Sequence, residues 1–182
     1  MKNLKYIVSV FVVALVMVGC GKPDVYVNPE FEGAPAWVQS PKANGKIAEM
    51  GSAQPNKMGN FSFQRELAMA NGRTNLAKKL SVKVKSMFKT FSSQTSANGG
   101  TFDMTAESVS KQITKQSLSG SGQEAIWTSK SGTVYVLMVI DTKSVASLME
   151  QQSKSAYGND EAAYQKFQAA KAQGELDKAL SN

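Results

Sequence analysis

Hydrophobic and polar positions alternate in several distinct ways along the chain. Residues 6–18 form an apolar run behind Lys2 and Lys5, closed by Gly19 and Cys20, and the chain turns polar at once with Gly21, Lys22 and Pro23. A short segment, 46–53, reads as a strand stopped by Gly51 and then by Pro55, which has no N–H to give a ladder. From Phe63 onward the spacing becomes helical. Phe63, Leu67, Ala70, Ala77, Leu80, Val84, Met87 and Phe91, with Leu76 beside them, recur mostly at three or four residues, predicting one long amphipathic helix. Asn60 or Ser62 is placed to cap it. Gly72 interrupts the pattern at a helix cost of about 1 kcal/mol against alanine. Such a glycine, like Gly51, fits a place where helix and strand come close.

A polar loop follows over 92–101. Asp103 is a candidate cap for a weaker helix over 104–117, whose Ser/Thr/Gln content leaves strand open for its second half. Residues 123–129 read as a strand, Lys130-Ser131-Gly132 as a hairpin turn, and 133–140 as the strongest strand of all. Near-continuous apolarity there fits a central strand buried on both faces, or an edge strand used as an interface. Asp141 and Thr142 then offer a cap for a short helix over 144–152, broken by Gly158, Asn159 and Asp160. The tail to Leu180 is helical by propensity but has a thin stripe: Ala163, Phe167, Ala170, Leu176 and Leu180, with Gly174 interrupting. It reads either as a solvated end or as an arm packing on a neighbouring subunit. The order is strand, long helix, weaker helix, strand, hairpin, strand, helix, helix. That predicts an α+β domain with a small antiparallel sheet covered on one face by the long helix.

The opening run is too short for a comfortable membrane span of about 20 residues. With its positive start and small residue at the cut it reads as a secretory signal, residues 1–19. Met17-Val18-Gly19-Cys20 resembles a bacterial lipobox, with Met17 looser than the usual leucine. Cys20 is the chain's single cysteine, so no internal disulfide is available to it. A thiol is a good nucleophile for taking up diacylglycerol as a thioether, and each acyl methylene adds about 0.8 kcal/mol of membrane binding. Residues 20–34 then form a flexible tether of up to roughly 40 Å, 35–157 the domain, and 158–182 a helical tail.

Composition narrows the chemistry. The formal charge is +7, spread thinly and without aromatic–basic alternation, which argues against a nucleic-acid platform. No histidine is present, which removes the commonest general base and metal ligand. No phosphate loop, dinucleotide glycine pattern, zinc spacing or calcium loop occurs. The expectation is therefore no catalytic residue, no cofactor and no metal, so no enzyme. The one assignable chemical role is lipidation of Cys20. Candidate partner contacts are Trp37 and Trp127, read as apolar clasps or ligand platforms, and Lys78, Lys79 and Lys83, read as a solvated or a partner-binding helix face.

Several stretches together resemble one family: the lipobox at Cys20, Gly33-Ala34-Pro35-Ala36-Trp37-Val38, the strand ending Gly51-Ser52-Ala53, then Ala70, Arg73, Leu76, Ala77 and Leu80, and finally Trp127 and the strand 135–141 with its following helix. They resemble the Lpp-twenty family of bacterial lipoproteins, over roughly residues 35–149. That resemblance implies a small α+β envelope domain without catalysis. One branch of the family polymerises into a disk around the flagellar motor and is needed for motility. The implied protein is anchored in outer-membrane lipid through acylated Cys20. Its domain faces the periplasm and pairs with itself or with an envelope or flagellar protein. Gly21 after the cysteine fits outer-membrane sorting. A competing reading is an envelope ligand- or glycan-binding module with both tryptophans as stacking platforms.

Overall fold

A computed structural model describes residues 28–91, 99–157, 161–172 and 174–181. The signal, Cys20, the tether up to residue 27, most of the polar loop after the long helix and the Gly158-Asn159-Asp160 break lie outside these residues. A 3-10 turn, Pro29–Phe31, and a single helical turn, α1 (Ala36–Gln39), precede β1 (Lys46–Ala53). Then come α2 (Phe61–Phe91), α3 (Gly99–Ser119), β2 (Gly122–Thr128), β3 (Val134–Asp141), α4 (Thr142–Tyr157), α5 (Glu161–Ala172) and α6 (Glu175–Ser181). The architecture is α+β, with α2 laid on a three-stranded antiparallel sheet of order β1-β3-β2.

The apolar strand β3 is the central one. It pairs with β1 from Lys46↔Asp141 to Ala53↔Val134, and with β2 from Gly122↔Val139 to Thr128↔Val134. A bulge at Glu124, between Gln123 and Ala125, shifts the second register. Strand alternation sends Val134, Val136, Met138 and Ile140 into the main core with α2. Leu137 and Val139 go to the opposite face, beneath Trp37. Burial on both faces explains why this strand has no polar alternation, and it rules out β3 as an interface edge.

The long helix corrects one expectation. Its buried row is Gln64, Ala68, Gly72, Leu76, Leu80, Val84 and Phe88. Phe63 and Leu67, expected to begin the stripe, are 56% and 43% exposed. Steps of four advance a helical row by about 40° each. The buried row therefore winds around α2, from the sheet at its start to the other helices at its end. The sheet half of the row is small or polar because the approach is so close. A Cβ on Gly51 would lie 2.2 Å from the Ala68 carbonyl oxygen and 2.2 Å from the Gly72 nitrogen. The two glycines thus bring β1 and α2 into backbone contact, as their positions predict. Gln64 is buried for another reason: its amide donates to the carbonyls of Ala53 (2.9 Å) and Gly132 (2.8 Å), which satisfies it away from water.

Other boundaries follow their caps. Asn60 Oδ1 accepts from the Phe63 N–H at 3.0 Å, so Asn60 caps α2. Asp141 Oδ1 accepts from the N–H of Lys143 (2.8 Å) and Ser144 (3.3 Å) at the start of α4. Asp103 is no cap, since α3 begins four residues earlier, and the second half of α3 is helix throughout. The tail is neither a solvated end nor an arm reaching away. Gly174, at φ +71°, splits it into α5 and α6. All five stripe residues are buried, with Phe167 against Phe88 and Tyr157 (ring centroids 6.1 and 5.9 Å).

Candidate interaction surfaces

Function must be sought on the two sheet edges and on the sheet face away from α2. On the edge of β1 the outward carbonyls are taken. Residues Ala48, Met50 and Ser52 turn their carbonyls away from β3, and α2 meets each of them in turn. Asn71 Nδ2 donates to the Ser52 oxygen at 2.9 Å, Asn75 Nδ2 to Met50 at 3.0 Å, and Lys79 Nζ to Ala48 at 3.0 Å. The three donors are four residues apart, next to the buried row, so one side of α2 rides along the whole edge. Lys79 also pairs with Glu49 at 2.9 Å. These side chains occupy acceptors that a further strand would need.

The edge of β2 has no such guard. Trp127 and Ala125 face β3, which leaves the backbone N–H and C=O groups of Ile126 and Thr128 pointing outward. Among the described residues nothing outside the sheet bonds to them. Ile126 is 39% exposed, and every second residue of β2 is solvent-facing. Arg65 Nε donates to Gln123 Oε1 at 2.8 Å, and Lys46 pairs with Glu124 at 2.6 Å, so β2's flanking side chains are held while its backbone edge stays free.

On the outer face a thin N-terminal strap lies over the sheet. Trp37 packs on Ala48, Leu137 and Val139. Trp127 packs on Tyr135, ring centroids 5.3 Å apart, and Phe31 meets the same tyrosine edge-on at 6.1 Å. Both tryptophans are half-buried on one face but rest on different neighbours. Tyr135 donates its hydroxyl to Glu30 Oε1 at 2.9 Å. Hydrogen bonds from the Ser129 and Ser131 hydroxyls, then Tyr135 and Thr133, hold the Glu30 carboxyl below its ordinary value. Burial first, and then the Glu30 carboxylate, push Tyr135 up to about 12. A groove lined by Glu30, Ser52, Gln54, Ser131, Thr133 and Tyr135 opens here.

The three candidate lysines separate. Lys78 is exposed, Lys79 belongs to the β1 clasp, and Lys83 Nζ donates to the Ala179 carbonyl of α6 at 3.1 Å. Cys20 lies outside the described residues. The residues that close β1, Asn71 and Asn75, and the Glu30–Tyr135 bond were not anticipated. An amide–amide–lysine series at steps of four, flanking the core row, is the signal that would have found the first. Nothing local links Glu30 to Tyr135. Among the described residues, no group of histidine, cysteine or acidic side chains is arranged to hold a metal ion, and no helix is long and apolar enough to cross a membrane.

The model of the LPP20 lipoprotein family matches residues 35–141. The chain belongs to the LPP20 lipoprotein family. It is accordingly a lipoprotein of the cell envelope. The matched span runs from Pro35 to the end of β3. It contains the whole sheet, α2 with its Gly51–Gly72 contact, and both sheet edges. Helices α4, α5 and α6 lie beyond it, as does the Glu30 carboxylate on the other side. No curated protein matches the chain.

Proposed function

We propose that this LPP20 lipoprotein is a structural component of the outer membrane, without catalytic activity. Acylated Cys20 holds it in the inner leaflet, its domain stands in the periplasm, and β2 joins it to a further strand. That strand belongs to a second copy or to another envelope protein. The supporting observation is the contrast between the two edges: donors from α2 occupy the outward carbonyls of β1, while β2 keeps its outward N–H and C=O groups free. Edge strands are ordinarily blunted by lysine, proline or cover, and β2 has neither lysine nor proline between Gly122 and Thr128. In its most specific form the reading makes the assembly a support of the flagellar motor and of motility.

Two experiments test it. Cys20→Ser, followed by fractionation of cells, is expected to move the protein from the outer membrane to the soluble periplasm; retention in the membrane contradicts the anchor. Deletion of the gene is expected to impair swimming, and normal motility with an unaltered motor removes the flagellar form of the proposal.

A second reading, a glycan-binding module, draws on the outer-face groove. There an ionised carboxylate, an aromatic ring, several hydroxyls and one amide sit together, a mixture that suits sugar hydroxyls. Binding of peptidoglycan fragments that is abolished by Glu30→Gln would favour it over strand pairing.

A further inference from the structure

A separate feature lies at the other end of the sheet. The turn before β1, the first residues of β1, the middle of α2 and the end of α6 enclose a cavity of about 280 Å³. Lys42, Lys46, Lys79 and Lys83 line it, together with Asn44 and Leu180, and among the described residues no carboxylate does. The wall is firmly built. Thr142 pins the turn by donating its N–H (3.1 Å) and its hydroxyl (2.9 Å) to the Gly45 carbonyl. Gly45, at φ +66°, supplies the left-handed bend that reverses the chain there.

Neutralisation of this cluster is incomplete. Glu124 pairs with Lys46 and Glu49 with Lys79, both from outside the cavity lining. Among the described residues, Lys42 and Lys83 have no carboxylate partner. Lys83 is half-buried, and its bonded neighbour is only a backbone carbonyl at the end of α6. It also sits one helical turn from Lys79, a like charge at close quarters. Burial and Lys79 together lower its proton affinity. An anion bound beside Lys83 and Lys42, the two without a carboxylate partner, would relieve that repulsion.

The donor set indicates which anion. Lysines act as point charges that bind the oxygens of a phosphate without the fixed planar match an arginine fork imposes. No arginine lines the cavity. We infer that Lys42 and Lys83, with the Lys79 charge beside them, form a binding site for a small phosphate-bearing ligand. The shared chemistry is a phosphate oxyanion, whether from a soluble phosphate or from a phospholipid headgroup. This site is independent of the β2 edge.

The test uses the lipidated full-length protein in nonionic detergent, titrated calorimetrically at constant ionic strength with inorganic phosphate and with glycerophosphoglycerol, a deacylated phospholipid headgroup. Saturable binding of one equivalent is expected for at least one of them. Phosphate alone identifies a soluble ligand, and tighter binding of glycerophosphoglycerol identifies a headgroup. Lys83→Gln and Lys42→Gln are each expected to weaken binding at least fivefold. Lys42 lies on the exposed turn, so its replacement leaves the packing of α6 untouched and remains informative if Lys83→Gln loosens that helix. Lys78→Gln, outside the cavity, is expected to leave binding unchanged. The inference is overturned if neither ligand binds saturably, or if binding survives Lys42→Gln and Lys83→Gln at full strength.

Discussion

Gly51→Ala tests the tightest contact in the fold. The added methyl would lie 2.2 Å from both the Ala68 oxygen and the Gly72 nitrogen, and 2.5 Å from the Gly72 Cα. All three are backbone atoms, so no side chain can swing aside. Ordinary contact begins near 3.4 Å, which means that α2 must retreat from β1 by roughly an ångström. Overpacking alone costs about 1–3 kcal/mol. The retreat also lengthens the bonds from Asn71, Asn75 and Lys79 to the β1 edge, each contributing about 0.5–1.5 kcal/mol. A loss of about 3–5 kcal/mol is expected, lowering Tm by roughly 10 °C for a domain of this size. Gly72→Ala is the matched control. Its methyl meets Met138 Cγ at 2.6 Å and the Gly51 nitrogen at 3.2 Å. The flexible thioether can move, and the helix gains about 1 kcal/mol of propensity. Its loss is expected to be much smaller. Urea unfolding of both variants provides the comparison, and a Gly51→Ala protein within about 0.5 kcal/mol of wild type would refute the backbone-contact argument.

Three further outcomes follow from the same geometry. Replacing Asn71 and Asn75 together with alanine should remove about 1 kcal/mol per bond and unseal β1; light scattering at rising concentration should then show association beyond that of the wild type. Asn60→Ala should cost about 1 kcal/mol through loss of the α2 cap, measured by thermal melting. Glu107 is held down to about 2 by hydrogen bonds from Lys85 and Lys111. Its folded value lies below its ordinary 4.5, so the stability it adds is present above pH 4.5 and is lost as the pH falls towards 2. A Lys85→Met variant should show a flatter urea midpoint over that interval, and high salt should flatten the wild type, because the pair is solvent-exposed.

The sequence was most readable where one force dominated. Strand β3 is apolar at nearly every position because both of its faces are covered. The helices could be placed from periodicity, and two of their starts from Asn60 and Asp141. Legibility failed where packing was closest. Gln64, Ala68 and Gly72 form the sheet-facing start of α2, yet none is a large hydrophobe, because only small or hydrogen-bonding residues fit against Gly51, Ala53 and Gly132. The neighbouring Phe63 and Leu67 then drew the predicted stripe one residue off. Long-range partners left no local trace: the Tyr135 hydroxyl meets Glu30 across 105 residues, and Lys83 meets Ala179 across 96. The thin tail stripe understated burial for a related reason, since one aromatic, Phe167, fills the space between Phe88 and Tyr157. Of the candidate contacts, the lysines parted into a sealed edge and a basic cavity, a division that depends on α6 and could not be seen from α2 alone.

The open β2 edge is tested most directly by sedimentation velocity of the mature Cys20→Ser chain, alone and with Ile126→Lys. Lysine at this half-exposed position leaves the bonds to β3 intact and places a charge where an incoming strand would lie. The first protein is expected to assemble with rising concentration, and the second to remain a monomer of unchanged Tm. A monomer at every concentration would rule out a second copy as the incoming strand, and equal assembly of both would contradict the β2 edge as the interface.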